Sequence, residues 1–303
     1  MSQDESMVMS MLDCTLEEAK EYLLKAGGDV LLAIENNMKF YLPFKQSDKK
    51  ERPFYWENFL IHLKPYLVPQ EELNKYSLPT FNEYSFEYFP LPKLREGMSF
   101  KLFGYFQSYL YFEKHKEDIY KIIKLDEFRN KYINDYDYSN LICLHFRLGD
   151  YVHLQYHHPV ISKKYYVSAL NDLIKKLEKE GKDGKETNKP NWKVLYFCED
   201  NEHDIQYVNN ILSEIDKELE YDRKTFSLSF EKINRKYQDW EQVLVMSLCK
   251  HNIIANSTFS WFGAYFNKEE NKQVYYPSIW FGPGQGNKNT KDLFPGNWNK
   301  IDC

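Results

Sequence analysis

What the chain lacks narrows its function before any motif is read. It has no excess of positive charge: 40 Lys and Arg stand against 45 Asp and Glu, for a net charge of −5. A nucleic-acid binder carries a basic footprint, and this chain has none. The Lys-rich stretch at 178–189 reads as a solvated linker instead. No apolar run reaches the ~18 residues that a membrane span requires. The first residues, Met-Ser-Gln-Asp-Glu-Ser, are acidic and show no signal-peptide pattern, so a cytoplasmic location is expected. Cysteine is sparse and odd in number: Cys14, Cys143, Cys198, Cys249 and Cys303. Three of these sit in apolar runs, which argues for buried thiols in a reducing compartment and against a disulfide framework or zinc site. No Walker loop, nucleophilic triad or internal repeat is present.

What remains is an aromatic-rich chain of 303 residues, longer than one ordinary domain. Phe, Trp and Tyr make up 17% of it, with 25 Tyr and 21 Phe. This reads as a compositional bias before it reads as a sugar-stacking surface, because exposed aromatics inform only when they form patches.

Residues 1–40 read as a small all-α module. Met7, Val8 and Met11 share one helical face. Leu16, Ala19, Tyr22 and Leu23 recur at helical spacing, with Thr15 and Glu18 placed as a capping box. Gly27-Gly28-Asp29 ends that helix and opens a third, whose stripe is Val30, Ala33 and Ile34. The pattern resembles a UBA-like three-helix module of the kind found in the nascent-polypeptide-associated complex. The ubiquitin-contacting Met-Gly-Phe/Tyr loop of many UBA domains is replaced by Met11-Leu12-Asp13-Cys14. The resemblance implies either docking of a protein partner or a plain capping bundle. Residues 41–53, basic from Lys45 to Arg52, read as a linker.

From residue 54 to 303 the pattern is α/β. Periodicity predicts helices over 57–64 and 109–124, with a short strand within 99–106. There follow a strand at 141–146, a helix at 164–177, a strand at 193–198 and a helix at 203–212. A helix at 240–250, a buried strand at 252–255 and a helix at 258–266 complete the series. Strands alternating with helices predict a parallel sheet covered on both faces, which binds ligands outside the carboxyl ends of its strands.

Two strand ends carry chemistry. After the first comes Arg147-Leu148-Gly149-Asp150-Tyr151. An arginine fork suits two phosphate oxygens, and a glycine lets the backbone turn tightly around a ligand. An Arg147–Asp150 structural ion pair explains the same four residues equally well. After the strand at 252–255 comes Asn256-Ser257-Thr258, then an aromatic helix from Phe259. A helix start offers free N–H groups and the positive end of a dipole, which together bind phosphate. A plain N-cap accounts for one hydroxyl but not for Ser257, Thr258 and Ser260 together.

These segments resemble glycosyltransferase family 11, the α-1,2-fucosyltransferases. His145-Phe-Arg147-Leu-Gly149-Asp150-Tyr151 is similar to that family's His-x-Arg-x-Gly-Asp-Tyr. Gly104-Tyr-Phe-Gln-Ser-Tyr, Tyr165-Tyr166…Ala169 and Leu248-Cys-Lys-His-Asn-Ile-Ile-Ala-Asn-Ser-Thr-Phe-Ser-Trp261 match further segments in order. The resemblance implies a GT-B-like fold whose Rossmann-type donor-binding part covers about 139–303, with a truncated N-terminal lobe. It implies inverting, metal-independent transfer of fucose from GDP-fucose to a glycan hydroxyl, with the nucleotide sugar as substrate and no cofactor. On this model Arg147 grips the pyrophosphate, and Asp150 orients it or serves as base, orientation being favoured. Donor contacts fall to His145, Asp200, Glu241, Asn256, Ser257, Thr258 and Ser260. Tyr105, Gln107, Tyr151 and His158 are expected on the acceptor side.

The chain departs from the family in three places. The Gly-Gly-x-Gly-Asn-Gln-x-Phe-Gln segment with which members usually begin has no counterpart. Ser-Asp-Asp reads Cys198-Glu199-Asp200, and Trp-Glu-Asp reads Trp240-Glu241-Gln242. A second reading follows from the first departure: a non-catalytic adaptor on a transferase scaffold. Two metal-like groupings are set aside. Asp135-Tyr136-Asp137 precedes a strand instead of ending one, and His153, His157 and His158 have no further ligand at metal spacing.

Overall fold

The computed structural model describes residues 1–2, 4–6, 9, 15–25, 42–44, 55–69, 74–75, 77–92, 100–183 and 191–303. The chain divides into two compact units, residues 1–126 with 291–293, and residues 127–290 with 294–303.

In the first unit, α1 (Leu16–Lys25) forms where the apolar spacing placed it. Thr15 and Glu18 make the expected reciprocal cap: the Thr15 N–H donates to Glu18 Oε2 (2.7 Å) and the Glu18 N–H to Thr15 Oγ1 (3.3 Å). The Gly27–Asp29 turn and the stripe from Val30 to Ile34 lie outside the described residues. Within the expected linker, Leu42-Pro43-Phe44 is apolar and forms β1 (Leu42–Phe44), paired in parallel with β2 (Leu67–Pro69). A second parallel pair joins β3 (Thr80–Asn82) to β4 (Lys101–Phe103). The helix predicted at 57–64 is instead two 3-10 turns, Tyr55–Glu57 and Ile61–Tyr66. Pro65 lies inside the second and has no N–H to continue a ladder. The helix predicted at 109–124 is α-helical only in α2 (Lys116–Ile122). Its aromatic first half breaks at Phe112 (φ −132°). The ring of Tyr111 packs on Tyr88 (4.9 Å) and Phe106 (5.3 Å), so tertiary contacts override a weak local helix preference.

Short α3 (Leu125–Asn130) leads into the second unit. There the chain alternates β5 (Leu141–His145), α4 (Lys163–Asp183), β6 (Asn191–Phe197), α5 (Glu202–Glu218), β7 (Ser227–Lys232), α6 (Asp239–Leu248), β8 (His251–Ile253), α7 (Thr258–Tyr265), β9 (Val274–Pro277) and β10 (Asn299–Ile301). The six strands form one sheet in the order β10-β9-β8-β5-β6-β7, parallel throughout. β7, β9 and β10 carried no strand signal in the sequence. β9 and β10 are too short for a period to register, and β7 is a half-buried, polar edge strand.

The winding starts at β5, runs outward through β6 to β7, then returns to the other side of β5 at β8. This is the doubly wound Rossmann-like order, whose direction reverses between β5 and β8. All residues of β5 and β8 are buried, the mark of parallel strands covered on both faces. Alternation along β5 sends Ile142, Leu144, Phe146 and Leu148 into an apolar core shared with Tyr165, Ala169 and Leu173 of α4 and Val208 and Leu212 of α5. His145 and Arg147 are left for the opposite side. Cys143, Cys198 and Cys249 are buried free thiols, as expected.

Candidate active site

The reversal point is where the charged residues gather. β5 and β8 run in register, Leu144 beside Ile253, so the residues leaving each strand are level with one another. His145 Nδ1 lies 2.8 Å from Ser260 Oγ, tying the end of β5 to the first turn of α7. The Tyr151 hydroxyl donates to the Asn256 carbonyl (3.2 Å), and the Arg147 guanidinium lies 4.8 Å from the Tyr151 ring centre. The Arg147 turn and the Asn256–Thr258 turn therefore share one rim of the sheet.

Arg147 is held on two sides. Its Nη2 donates to Asp150 Oδ1 (2.5 Å) and its Nη1 to Glu199 Oε1. The first contact is the Arg147–Asp150 ion pair, which the orienting and the purely structural readings of Asp150 share. The second was not legible in the sequence. His145 pairs with Phe197, so two residues on, Arg147 is level with Glu199. Only strand register gives that, and nothing in the sequence sets it. Arg147 and Asp150 are half-buried and Glu199 is exposed.

α7 starts at Thr258 with Ser257 as its N-cap residue, yet no side chain caps it, and its first turn holds no acidic residue. The Ser257 N–H is turned back to the Ala255 carbonyl (2.8 Å). Ser257 is buried and Thr258 exposed. A hydroxyl-rich helix start with its own cap unused is equipped to donate N–H groups to an anion.

His145 is 5% exposed, and burial, reinforced by Arg147, lowers its pKa to about 3. It is a neutral ring packed on Phe259 at 5.5 Å. His158 stacks on Tyr151 (5.0 Å, 29°), and burial lowers its pKa as well. Its Nδ1 is buried without a partner, as is Oδ1 of Asn256. Nδ2 of Asn256 is already committed to the carbonyls of Pro159 (2.9 Å) and Trp280 (3.3 Å). The rim thus combines a cationic fork, an open helix start and two unused polar atoms.

Other expected residues are engaged elsewhere. Asp200 pairs with Lys232 and lies 3.8 Å from Arg235, so it neutralises cations of β7 and its following loop. Glu241 accepts from the Gln238 N–H (2.7 Å) and from the Tyr132 hydroxyl (2.6 Å), completing the capping box of α6. Tyr105 and Gln107 belong to the first unit. Tyr105 is exposed, and its N–H, with that of Phe106, donates to the Glu83 carboxylate (2.8 and 3.0 Å). Gln107 Oε1 is buried without a partner. Asp137 caps the Ser139 N–H (3.2 Å), in keeping with the loop reading of the Asp-Tyr-Asp segment.

A parallel sheet wound both ways from one point defines a Rossmann-like α/β protein, and an arginine fork and an open helix start lie at that point. The sequence profile of Glycosyl transferase family 11 matches residues 38–302, and the chain belongs to that family. It is 29% identical over 249 residues to the O-antigen biosynthesis glycosyltransferase WbnK of Escherichia coli, covering 73% of each chain. It is 27% identical over 213 residues to an alpha-1,2-colitosyltransferase of Escherichia coli, covering 67% of this chain and 63% of that one. No solved structure matches it. The chain is a glycosyltransferase, with a nucleotide-sugar donor and a glycan acceptor, and the adaptor reading gives way. Among the described residues no helix is long and apolar enough to cross a membrane.

Proposed function

We propose that this glycosyltransferase moves fucose from GDP-fucose onto a glycan hydroxyl, with inversion and without a metal, on a GT-B plan in which the second unit binds the donor. The observation that carries the donor reading is the meeting of Arg147 and the uncapped start of α7 on adjoining strand ends. Negative charge grows on the diphosphate as the glycosidic bond breaks. Arg147 and the α7 N–H groups are fixed donors aimed at that charge, and stabilisation of this kind needs no reorganisation during the reaction. The diphosphate takes over guanidinium N–H groups now held by Glu199 or Asp150, while the remaining carboxylate keeps the fork in place. His145 stays neutral and braces α7 through Ser260. Tyr151, His158 and Asn256 face the sugar side, where unused polar atoms suit hydroxyl partners.

The name of one relative supports testing colitose as a second donor sugar on the same contacts. The N-terminal module is proposed as UBA-like, supported by α1 and its capping box.

The test is hydrolysis and transfer from GDP-fucose, with GDP-mannose and the colitose donor in parallel, by the wild-type chain and by Arg147→Ala. Loss of one donor aimed at transition-state charge lowers turnover about 100-fold or more. Equal rates in the two chains would remove Arg147 from the mechanism. A wild-type chain that uses another donor and ignores GDP-fucose would overturn the choice of sugar.

A further inference from the structure

We propose that Asp204, outside every motif described above, is a positioning residue that sets the Arg147 fork by holding the turn beneath it; this rests on the reading of Arg147 as the diphosphate ligand. Asp204 lies in the first turn of α5 and is 4% exposed. Its Oδ2 accepts the N–H of Gly149 at 3.0 Å. Gly149 stands between the two residues that form the fork, Arg147 and its orienting partner Asp150.

Three observations make this bond the element that fixes the turn. First, Gly149 has φ +52°, and since glycine adopts either hand of φ about equally, its local preference does not select between them. Second, the turn borders a pocket on one side, while Glu199 lies against Gly149 on another. An open pocket of about 230 Å³ adjoins the turn, lined by Leu148, Val152, Ile161, His203, Asp204 and Tyr207. Third, Asp204 is itself immobilised. Its N–H donates to Oδ1 of Asn201 (2.8 Å), and its Oδ1 lies 3.3 Å from Nδ1 of His203. Burial alone raises its pKa, but the bonds from Asn201, Gly149 and His203 outweigh burial and leave it below the ordinary carboxylate value. An ionised carboxylate accepting a backbone N–H makes a strong, directional bond.

The start of α5 therefore carries a fixed acceptor that presets the loop of β5. Without it the turn has an adjoining pocket to relax into, and the angle between Arg147 and the α7 start is held less tightly. The fork remains present and charged but is aimed poorly, and a small misplacement is costly for a group that works by geometry.

The experiment measures GDP affinity by calorimetry and melting temperature without ligand, for wild type, Asp204→Ala and Asp204→Asn. Asparagine retains an oxygen that accepts the Gly149 N–H; alanine does not. The expected result is a loss of about tenfold in GDP affinity for Asp204→Ala, the scale of one hydrogen bond to a charged group. Asp204→Asn is expected to stay within about twofold of wild type by the same reasoning. If Asp204→Ala does not fold, Asp204→Ser takes its place, being polar but too short to reach Gly149. A folded Asp204→Ala or Asp204→Ser chain with wild-type GDP affinity and only a lower melting temperature overturns the proposal, because it shows a purely structural role. Asparagine falling as far as alanine overturns it too, because charge and not acceptance of the N–H would then matter. A wild-type chain that does not bind GDP sinks the diphosphate reading and this inference together, whereas the variant outcomes leave the first intact.

Discussion

Two helices begin on the same edge of the sheet and are finished differently. α6 opens with a full capping box: Gln238 caps the N3 backbone, Glu241 reaches back to the Gln238 N–H, and Asp239 and Glu241 place negative charge in the first turn. α7 opens with Ser257 in the N-cap position, uses no side-chain cap and has no acid in its first turn. Both sequences contain good capping residues, so composition does not explain the contrast. A helix start leaves N–H groups unsatisfied, and the dipole end favours an anion nearby. α6 satisfies both needs from within. α7 leaves both open, and it does so beside Arg147. On the proposed function, one start serves stability and the other serves binding.

The sharpest way to break the contrast is to give α7 a finish like that of α6. Ser257→Asp places a carboxylate in the N-cap position of a helix that lacks one. Cap and dipole contribute roughly 0.5–1 kcal/mol, offset by the cost of desolvating a carboxylate at this buried position. The same carboxylate repels the diphosphate and competes for its N–H groups, so GDP affinity falls about tenfold or more, the scale of a like charge set against a charged ligand. Calorimetric titration with GDP beside a thermal melt reads both quantities. A variant that is more stable and binds GDP as well as wild type would show that the α7 start does not hold the donor.

Much of this contrast was legible in the sequence. The apolar runs of β5, β6 and β8 gave the parallel sheet, and Arg147, Asp150, Ser257 and Thr258 followed from looking just beyond strand ends. The contacts that could not be read are those where a side chain's partner lies far away in sequence. Asp200 and Glu199 are neighbours after β6, and nothing local says that Glu199 turns to Arg147 while Asp200 turns to Lys232. Glu241 sits in a motif position, yet its carboxylate is taken up by a cap and by Tyr132, a residue more than a hundred positions away. Asp204 left no signal at all, because a backbone N–H as partner has no residue type. β9 and β10, with four and three residues, were invisible because a period needs length.

The next test uses acid. His145 joins β5 to α7, where a positive ring would face the positive end of an uncompensated helix. Its pKa of about 3 lies below the ordinary 6.5, so the unfolded chain takes up a proton that the folded chain refuses. The stability contributed by keeping this ring neutral is complete above 6.5 and is lost as pH falls from 6.5 toward 3. His251, at about 4 through burial, adds a loss of the same sign. Each pH unit in that window costs about 1.4 kcal/mol for one such histidine. Urea unfolding across a pH series should show this slope, and His145→Gln should make it shallower. An unchanged slope in the variant would show that His145 titrates normally and that the rim is wetter than its 5% exposure implies.

The last test bears on the other half of the contrast. If the start of α6 is purely structural, removing its cap must cost stability and nothing else. Glu241→Ala leaves the Gln238 N–H without its acceptor and the Tyr132 hydroxyl without its partner. The expected cost is about 1 kcal/mol for the cap, with a similar addition from the lost tyrosine bond. Donor affinity should be unchanged, although family resemblance places Glu241 among the donor contacts. The two explanations diverge on a single pair of measurements. A lower melting temperature with unchanged GDP affinity keeps α6 on the structural side. A loss of GDP affinity larger than the loss of stability would put Glu241 on the nucleotide and move the boundary of the donor site from β5 and β8 out to β7.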